Sequence, residues 1–356
     1  MARAGDNRPD DRQPIPRGLR SDLRLDPGRL REARALTAEL TLVNGLDASD
    51  FGDVLIDNLR AADVAACLVS SSRNDVGLFA SIDSPHHRFL LDRSDRIELA
   101  TTVTDIERIR RDGRTAIVFG LQVVDMIDED VGRLVGLHAM GLRSAGLAYN
   151  VGNYIGSGCT ELDQGPLSRF GVEFVRALQA LKIVVDIGGH SSEATGFDAL
   201  QHTSGPVVCS HTTVRALRDT PRAMTDGLFK AIADRGGVVG IAAFSFFLVP
   251  SGRGSVDDFV RHLDYAVKLV GPDHVGLGLD FILGKNYTGP MRDPDTFTPE
   301  AYPQSFEGWI YPEGLSDFTG LATVVAKLME RGYSPENIGR VMGGNWLRVW
   351  REVWGA

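Results

Sequence analysis

Eight apolar, β-rich runs punctuate the chain, and segments with helical spacing separate each run from the next. The runs are TLVN (41–44), VAACLVS (64–70), TAIVFG (115–120), SAGLAYN (144–150), IVVDI (183–187), PVVCS (206–210), GVVGIAA (237–243) and HVGLGLD (274–280). Each is apolar at successive positions, so both faces of the strand are buried, which is the signature of a parallel sheet covered on both sides. The segments between them carry apolar stripes. FGVEFVRALQAL offers Phe170, Val172, Phe174, Val175 and Leu178, and VDDFVRHLDYAVKLV offers Phe259, Leu263, Ala266, Val267 and Val270. Eight strands alternating with helices predict an α/β fold of the TIM (β/α)8 barrel type. An open doubly wound sheet would carry a glycine-rich phosphate loop after an early strand, and the sequence has none.

At 356 residues the chain suits one such barrel with insertions. We expect a single catalytic domain over 29–356, preceded by a flexible tail over 1–28. That tail is rich in Arg, Asp and Pro and has no apolar core, so it does not read as a secretory signal. The net charge of −9 and the lack of a basic stripe beyond the N-terminal segment argue against nucleic acid as a partner. No apolar stretch approaches the roughly 20 residues that span a bilayer, which argues against a membrane partner. The three cysteines, Cys67, Cys159 and Cys209, make no disulfide framework and suit a reducing, cytoplasmic setting.

In barrels of this type chemistry gathers at the carboxyl-terminal strand ends. In order, those ends carry Asn44-Gly45-Leu46-Asp47, Ser70-Ser71, Gln122, Tyr149-Asn150, His190, His211, Ala243-Phe244 and Asp280. Any one of these can be a loop cap. Together they place two imidazoles on one rim with a carboxylate, where a metal ion or a proton-transfer site can form. His274 precedes the eighth strand and belongs to the opposite end. His138, His202 and His262 fall in or beside helical segments and read as exposed or locally bonded, and His86 and His87 follow a Ser-Pro turn off the rim. Cys159 reads as a small residue packed in a turn, with a nucleophilic thiol as the alternative. Adjacent strand residues face opposite ways, so Ser210 is not expected to pair with His211. The aromatic-rich segment 282–317 reads as an ordered lid after the eighth strand. Trp346, Trp350 and Trp354, spaced four apart, read as barrel packing or as the contact of a homodimer.

The segments VVDIGGHSSEATGFDAL, PVVCSHTTVRAL, TPRAMTD, DRGGVVGIAAF, HVGLGLDF and ENIGRVMGGNWLRVWR resemble the membrane (renal) dipeptidases, a branch of the metal-dependent amidohydrolase barrels. The resemblance is close over about 180–281 and weaker over nearly all of 30–355. It implies a barrel carrying two zinc ions. One is held by a His-x-Asp pair after strand 1, the other by two histidines after strands 5 and 6, and a glutamate after strand 3 bridges them. His190 and His211 match the second pair, Arg222 matches the arginine that holds the substrate carboxylate, and Asp280 matches the aspartate that acts on the bridging water.

The departures are as specific. NGLDAS stands where the family has His-x-Asp, so the ligand histidine becomes Gly45 or Leu46; Gln122 replaces the bridging glutamate; and Tyr149 replaces a substrate-contacting histidine. A neutral amide cannot offset the repulsion between two dications as a carboxylate does. The sequence therefore predicts a bacterial, dipeptidase-like hydrolase of a C–N bond in a small carboxylate-bearing substrate, with one zinc on His190 and His211 or with none. Asp280, His211 and Tyr149 are the expected catalytic groups, and Arg222, Asn150 and Gln122 the expected substrate contacts. A metal-free lyase, isomerase or condensing enzyme on the same barrel, or a non-catalytic relative, are the alternatives.

Overall fold

The computed structural model describes residues 25–71, 85–284 and 311–355. Eight parallel strands form its centre: β1 (Leu42–Asp47), β2 (Val64–Ser71), β3 (Thr115–Leu121), β4 (Leu142–Ala145), β5 (Val184–Val185), β6 (Cys209–Val214), β7 (Val239–Ile241) and β8 (Val275–Leu277). Ladders join β1 to β2, β2 to β3, β3 to β4 and β4 to β5, and on the other side β6 to β7, β7 to β8 and β8 back to β1. The remaining seam is made just beyond the ends of β5 and β6. Val208 N donates to Val185 O at 3.0 Å and Ile187 N to Val208 O at 2.8 Å, around a parallel bridge between Asp186 and Val208. The chain is a (β/α)8 barrel.

Two short strands were not among the eight runs. Ile97–Leu99 pairs with β3 outside the ring, and Ala223–Met224 pairs with the end of β6. The sixth strand also begins where the PVVCS run was expected to end, so His211 lies within β6 rather than after it. Pro206 has no N–H to give a ladder, and pairing instead continues through the Ser-His-Thr-Thr stretch.

Why these segments form these elements is plain at the helix Val256–Val270. Ser255 accepts from Asp258 N, and the Asp258 carboxylate accepts from Ser255 N, a reciprocal cap at the start; Gly271, at φ 86°, ends the helix. Phe259, Val260, Leu263 and Ala266 are buried against the barrel. His262 is fully buried too, contrary to the expectation of an exposed or locally bonded side chain. Its Nδ1 accepts from Val214 N and its Nε2 donates to Leu248 O, tying β6 to the helix.

A second core cluster gathers Val43, Leu46, Ala66, Leu68, Ala116, Val118, Val184 and Val208 with Trp346, Trp350 and Trp354. The three tryptophans pack in succession and are at most 6% exposed, so the stripe is part of the barrel packing. Their helix, Asn345–Trp354, closes the amino-terminal mouth. Arg348 donates to Gly236 O and Asp273 O just before β7 and β8, and Trp354 Nε1 donates to Arg143 O at the start of β4. The carboxyl-terminal end is left to carry the polar groups. No helix among the described residues is long and apolar enough to cross a membrane.

Candidate active site at the carboxyl-terminal rim

β5 leads through Asp186 and two glycines to His190, and the loop after β4 brings Tyr149 and Asn150 against it. His190 Nδ1 lies 2.8 Å from Asn150 Oδ1, and His190 Nε2 lies 3.0 Å from Arg222 Nη2. A guanidinium has donors only and keeps its proton in proteins, so Nε2 must be the accepting nitrogen and Nδ1–H the donor to Asn150. These two contacts fix the tautomer of His190. The Tyr149 ring stacks on the imidazole at 3.8 Å between centroids and 21° between planes. Asn150 sits at φ 52°, in the left-handed region, and is fully buried, so its amide holds His190 from behind rather than facing the cleft.

His211 stands 4.9 Å from His190 between ring centroids. Its Nε2 is 3.4 Å from the Gln122 amide nitrogen and 3.9 Å from Asp280 Oδ2. Its Nδ1 is 2.8 Å from Ser210 Oγ, the pairing that strand alternation argued against. The ladder between β6 and β7 shifts register between Cys209 and Thr212, and this bulge turns neighbouring side chains towards one another. Gly240 and Gly278 make room for it, since a Cβ at either would sit within 2.1 Å of Ser210 O. The serine leads on to Asp186, whose Oδ1 accepts from Ser210 N and Gly188 N at 2.8 Å each. Burial pushes the Asp186 carboxyl above the usual range, although the Ser210 hydroxyl and these amides pull it down. Sequence reasoning passed over this carboxylate; its signal was an acidic residue inside the otherwise apolar IVVDI run.

Burial drives both imidazoles well below the ordinary histidine range. Arg222 adds to this at each, and His211 adds further at His190. Both rings are therefore neutral at neutral pH. Arg222 itself is only 2% exposed and lies over the Phe247 ring at 5.2 Å. Asp280, at φ 55°, is held at the rim by its amide donating to Leu46 O. Cys159 is buried, its thiol 3.7 Å from Asn150 Oδ1, and burial raises its pKa; it belongs to the packing of the turn. Beside Tyr149 opens a cleft of about 570 Å³ walled by Val123, Asp125, Val151, Asn153 and Tyr154.

At the first strand end, Gly45 packs under Trp346, where a Cβ would lie 2.1 Å from the indole, and Leu46 is buried in the barrel interior. Neither is a ligand. His86 stacks on Phe51 and His87 bonds Met140 O. His274 bonds Gly237 O at the opposite end. Most of the expected lid, including Tyr287, Phe297, Tyr302, Phe306 and Trp309, lies outside the described residues; Tyr311 is described and its hydroxyl accepts from Ile282 N. A hydrolytic zinc needs three protein ligands and one open position. Among the described residues no group of three or more His, Cys, Asp or Glu side chains is placed to hold an ion. With His190 Nε2 facing a guanidinium, the donor set as placed does not fit a zinc.

The sequence matches the family model for membrane dipeptidase (peptidase family M19) over residues 72–297 and 303–355. An uncharacterized protein in the pqqA 5′ region of Klebsiella pneumoniae is 32% identical over 269 residues, covering 73% of this chain and 90% of that one. The dipeptidase tcpJ of Claviceps purpurea is 29% identical over 264 residues, covering 73% of this chain but 56% of its own, so this chain spans little more than half of that relative. An amidohydrolase from Pseudomonas aeruginosa superposes with a TM-score of 0.82 at 27% identity, over 91% of this chain and 99% of that one. A metallopeptidase from Rhodobacter sphaeroides, solved with a phosphinate mimic of the dipeptide L-Ala-D-Ala, shares the fold with a TM-score of 0.72 at 19% identity, over 88% and 99% of the two chains.

Proposed function

The chain belongs to the membrane dipeptidase family of hydrolases, and on that premise we propose that it cleaves an amide-type C–N bond in a small substrate bearing a carboxylate. The observation that carries this reading is the convergence of Asp280 and His211 on one rim, 3.9 Å apart, beside a buried arginine.

The chemistry follows from what each group can give. His211 is neutral, and with Nδ1 turned to Ser210 its Nε2 presents a lone pair to the rim. A water seated about 2.8 Å from both Nε2 and the Asp280 carboxylate is oriented by the two acceptors. As it attacks the substrate carbonyl carbon, its proton passes to this pair; when the C–N bond breaks, the departing amine takes the proton back. The products are a carboxylic acid and a free amine. Arg222 is suited to an anionic substrate group, because a guanidinium offers paired donors at fixed charge. The cleft beside Tyr149 gives the rest of the substrate a partly apolar wall. A metal, where a family member holds one, would supply Lewis acidity; the donors placed here do not fit it, and no step above depends on it.

The test is a panel of dipeptides and N-acyl amino acids, with products identified by mass spectrometry. Release of acid and amine by the native chain, lost in Asp280→Asn, is the expected result. A native chain that cleaves nothing in the panel, or an Asp280→Asn variant as active as the parent, would sink the reading.

A further inference from the structure

We propose that the guanidinium of Arg222 takes the place of the divalent cation at the His190–His211 pair, so that the centre carries a permanent organic cation and binds no zinc. The inference concerns the cation alone and can be tested whether or not the substrate is the one proposed above.

His190 is oriented as a metal-binding histidine would be. Such a ligand donates its second ring N–H to a fixed acceptor and presents the other nitrogen to the ion. Here Nδ1–H is fixed by Asn150 at 2.8 Å, and what Nε2 presents itself to is Arg222 Nη2 at 3.0 Å. A zinc bound to that lone pair would sit about 2.0 Å from Nε2. Along the same line it would fall roughly 1 Å from the guanidinium nitrogen, so ion and arginine exclude each other.

The arginine is also boxed in. A Cβ on Gly189 would lie 2.6 Å from Nη1, so only a glycine admits the side chain there. Phe247 covers the guanidinium at 5.2 Å, and the arginine is only 2% exposed. Two of the other family ligand positions, the first histidine and the bridging glutamate, have changed in the same sense. Leu46 and Gly45 are apolar, and the neutral Gln122 amide stands 3.4 Å from His211 Nε2. Replacing a dication by a monocation removes the need for a bridging carboxylate, and a neutral glutamine is what stands there.

The experiment uses the full chain. Zinc is measured in protein purified from zinc-supplemented cultures, then titrated calorimetrically into the native chain and into Arg222→Met and Arg222→Gln, with folding checked by circular dichroism. The native chain is expected to retain well under one zinc per ten chains and to take up none at micromolar concentrations. The folded variants, with Nε2 released, should bind zinc at least tenfold more tightly. In parallel, ¹⁵N spectra of the native chain should show His190 protonated at Nδ1 and unmoved by added zinc. About one zinc per native chain, removable only by a chelator, overturns the proposal. So does a zinc-induced shift of His190 Nε2, or variants that fold and bind zinc no better than the parent. Should both variants fail to fold, the stoichiometry and the ¹⁵N shift of the native chain decide the matter.

Discussion

Asn150 Oδ1 lies 2.8 Å from His190 Nδ1, and this contact decides which nitrogen of the imidazole meets Arg222. Asn150 achieves it from φ 52°, a conformation that asparagine tolerates better than most residues. Replacing it by alanine leaves a buried N–H without its acceptor, at a cost of about 1–3 kcal/mol, and puts a residue that tolerates the left-handed region less well than asparagine at φ 52°, for about 1 kcal/mol more. Replacing it by glycine keeps the first loss and relieves the second. Denaturant unfolding should therefore rank the native chain above Asn150→Gly and Asn150→Gly above Asn150→Ala. Equal stability of the two variants would show that the backbone carries no strain there.

Gly45 is one of the two residues that stand where the resemblance would put a ligand histidine, and it packs directly under Trp346. A Cβ at position 45 would lie 2.1 Å from the indole, and one at Gly276 would lie 2.6 Å from its nitrogen. The indole is anchored by Nε1 donating to Leu277 O at 2.8 Å, so it cannot slide aside freely. Gly45→Ala should cost about 1–3 kcal/mol or more through overpacking. A double-mutant cycle with Trp346→Leu should show favourable coupling, because the smaller side chain removes the clash. Additive effects would place the strain elsewhere.

The barrel and its eight strands were legible because a buried parallel strand writes itself as an apolar run, as at Val239–Ile241. The positions of His190, His211, Arg222 and Asp280 were legible from the same runs together with the family resemblance. Three features were not. The Ser210–His211 bond depends on a bulge, and a register shift of one residue leaves no mark in hydrophobic patterning. The contact between Arg222 and His190 joins residues 32 apart through the turn of Gly189 and the edge strand Ala223–Met224, which only the folded topology brings together. His262 looks like a polar residue on an amphipathic helix, and the two backbone groups that pay for its burial come from outside that helix.

That burial gives a pH signature. Desolvation pulls the His262 pKa down to about 4, against an opposing hydrogen bond to Leu248 O. The folded state then binds fewer protons than the unfolded state between about pH 4 and pH 6.5. Stability contributed by neutral His262 is fully present above pH 6.5 and is lost as pH falls through that window, by roughly 3 kcal/mol in all. His190 and His211 act with the same sign. Thermal unfolding of the native chain should thus drop steeply below pH 6.5. In His262→Gln the slope should lessen by about one proton, with a lower plateau at neutral pH. An unchanged slope would mean that His262 titrates normally in the fold.

The chain from His211 through Ser210 to Asp186 makes the last prediction. Ser210 Oγ stands 2.8 Å from His211 Nδ1, and Asp186 accepts from the Ser210 amide at 2.8 Å while also interacting with its hydroxyl. Ser210 and Asp186 touch no reacting atom in the proposed mechanism; they position the ring. Ser210→Ala leaves Nδ1 without its oxygen, so the tautomer that presents an Nε2 lone pair towards Asp280 is no longer enforced. On a cleaved substrate, kcat should fall about tenfold to hundredfold, less than the ~10²–10⁴ that positioned proton transfer supplies in full, while KM stays within about twofold. The pH profile of kcat should shift as well, because the imidazole that titrates has lost one of its fixed partners. Asp186→Asn keeps an oxygen for the Ser210 and Gly188 amides, so it should move the profile in the same direction by less. A loss of activity in Ser210→Ala with an unshifted profile and a lowered melting temperature would mean that the serine only fills the bulge.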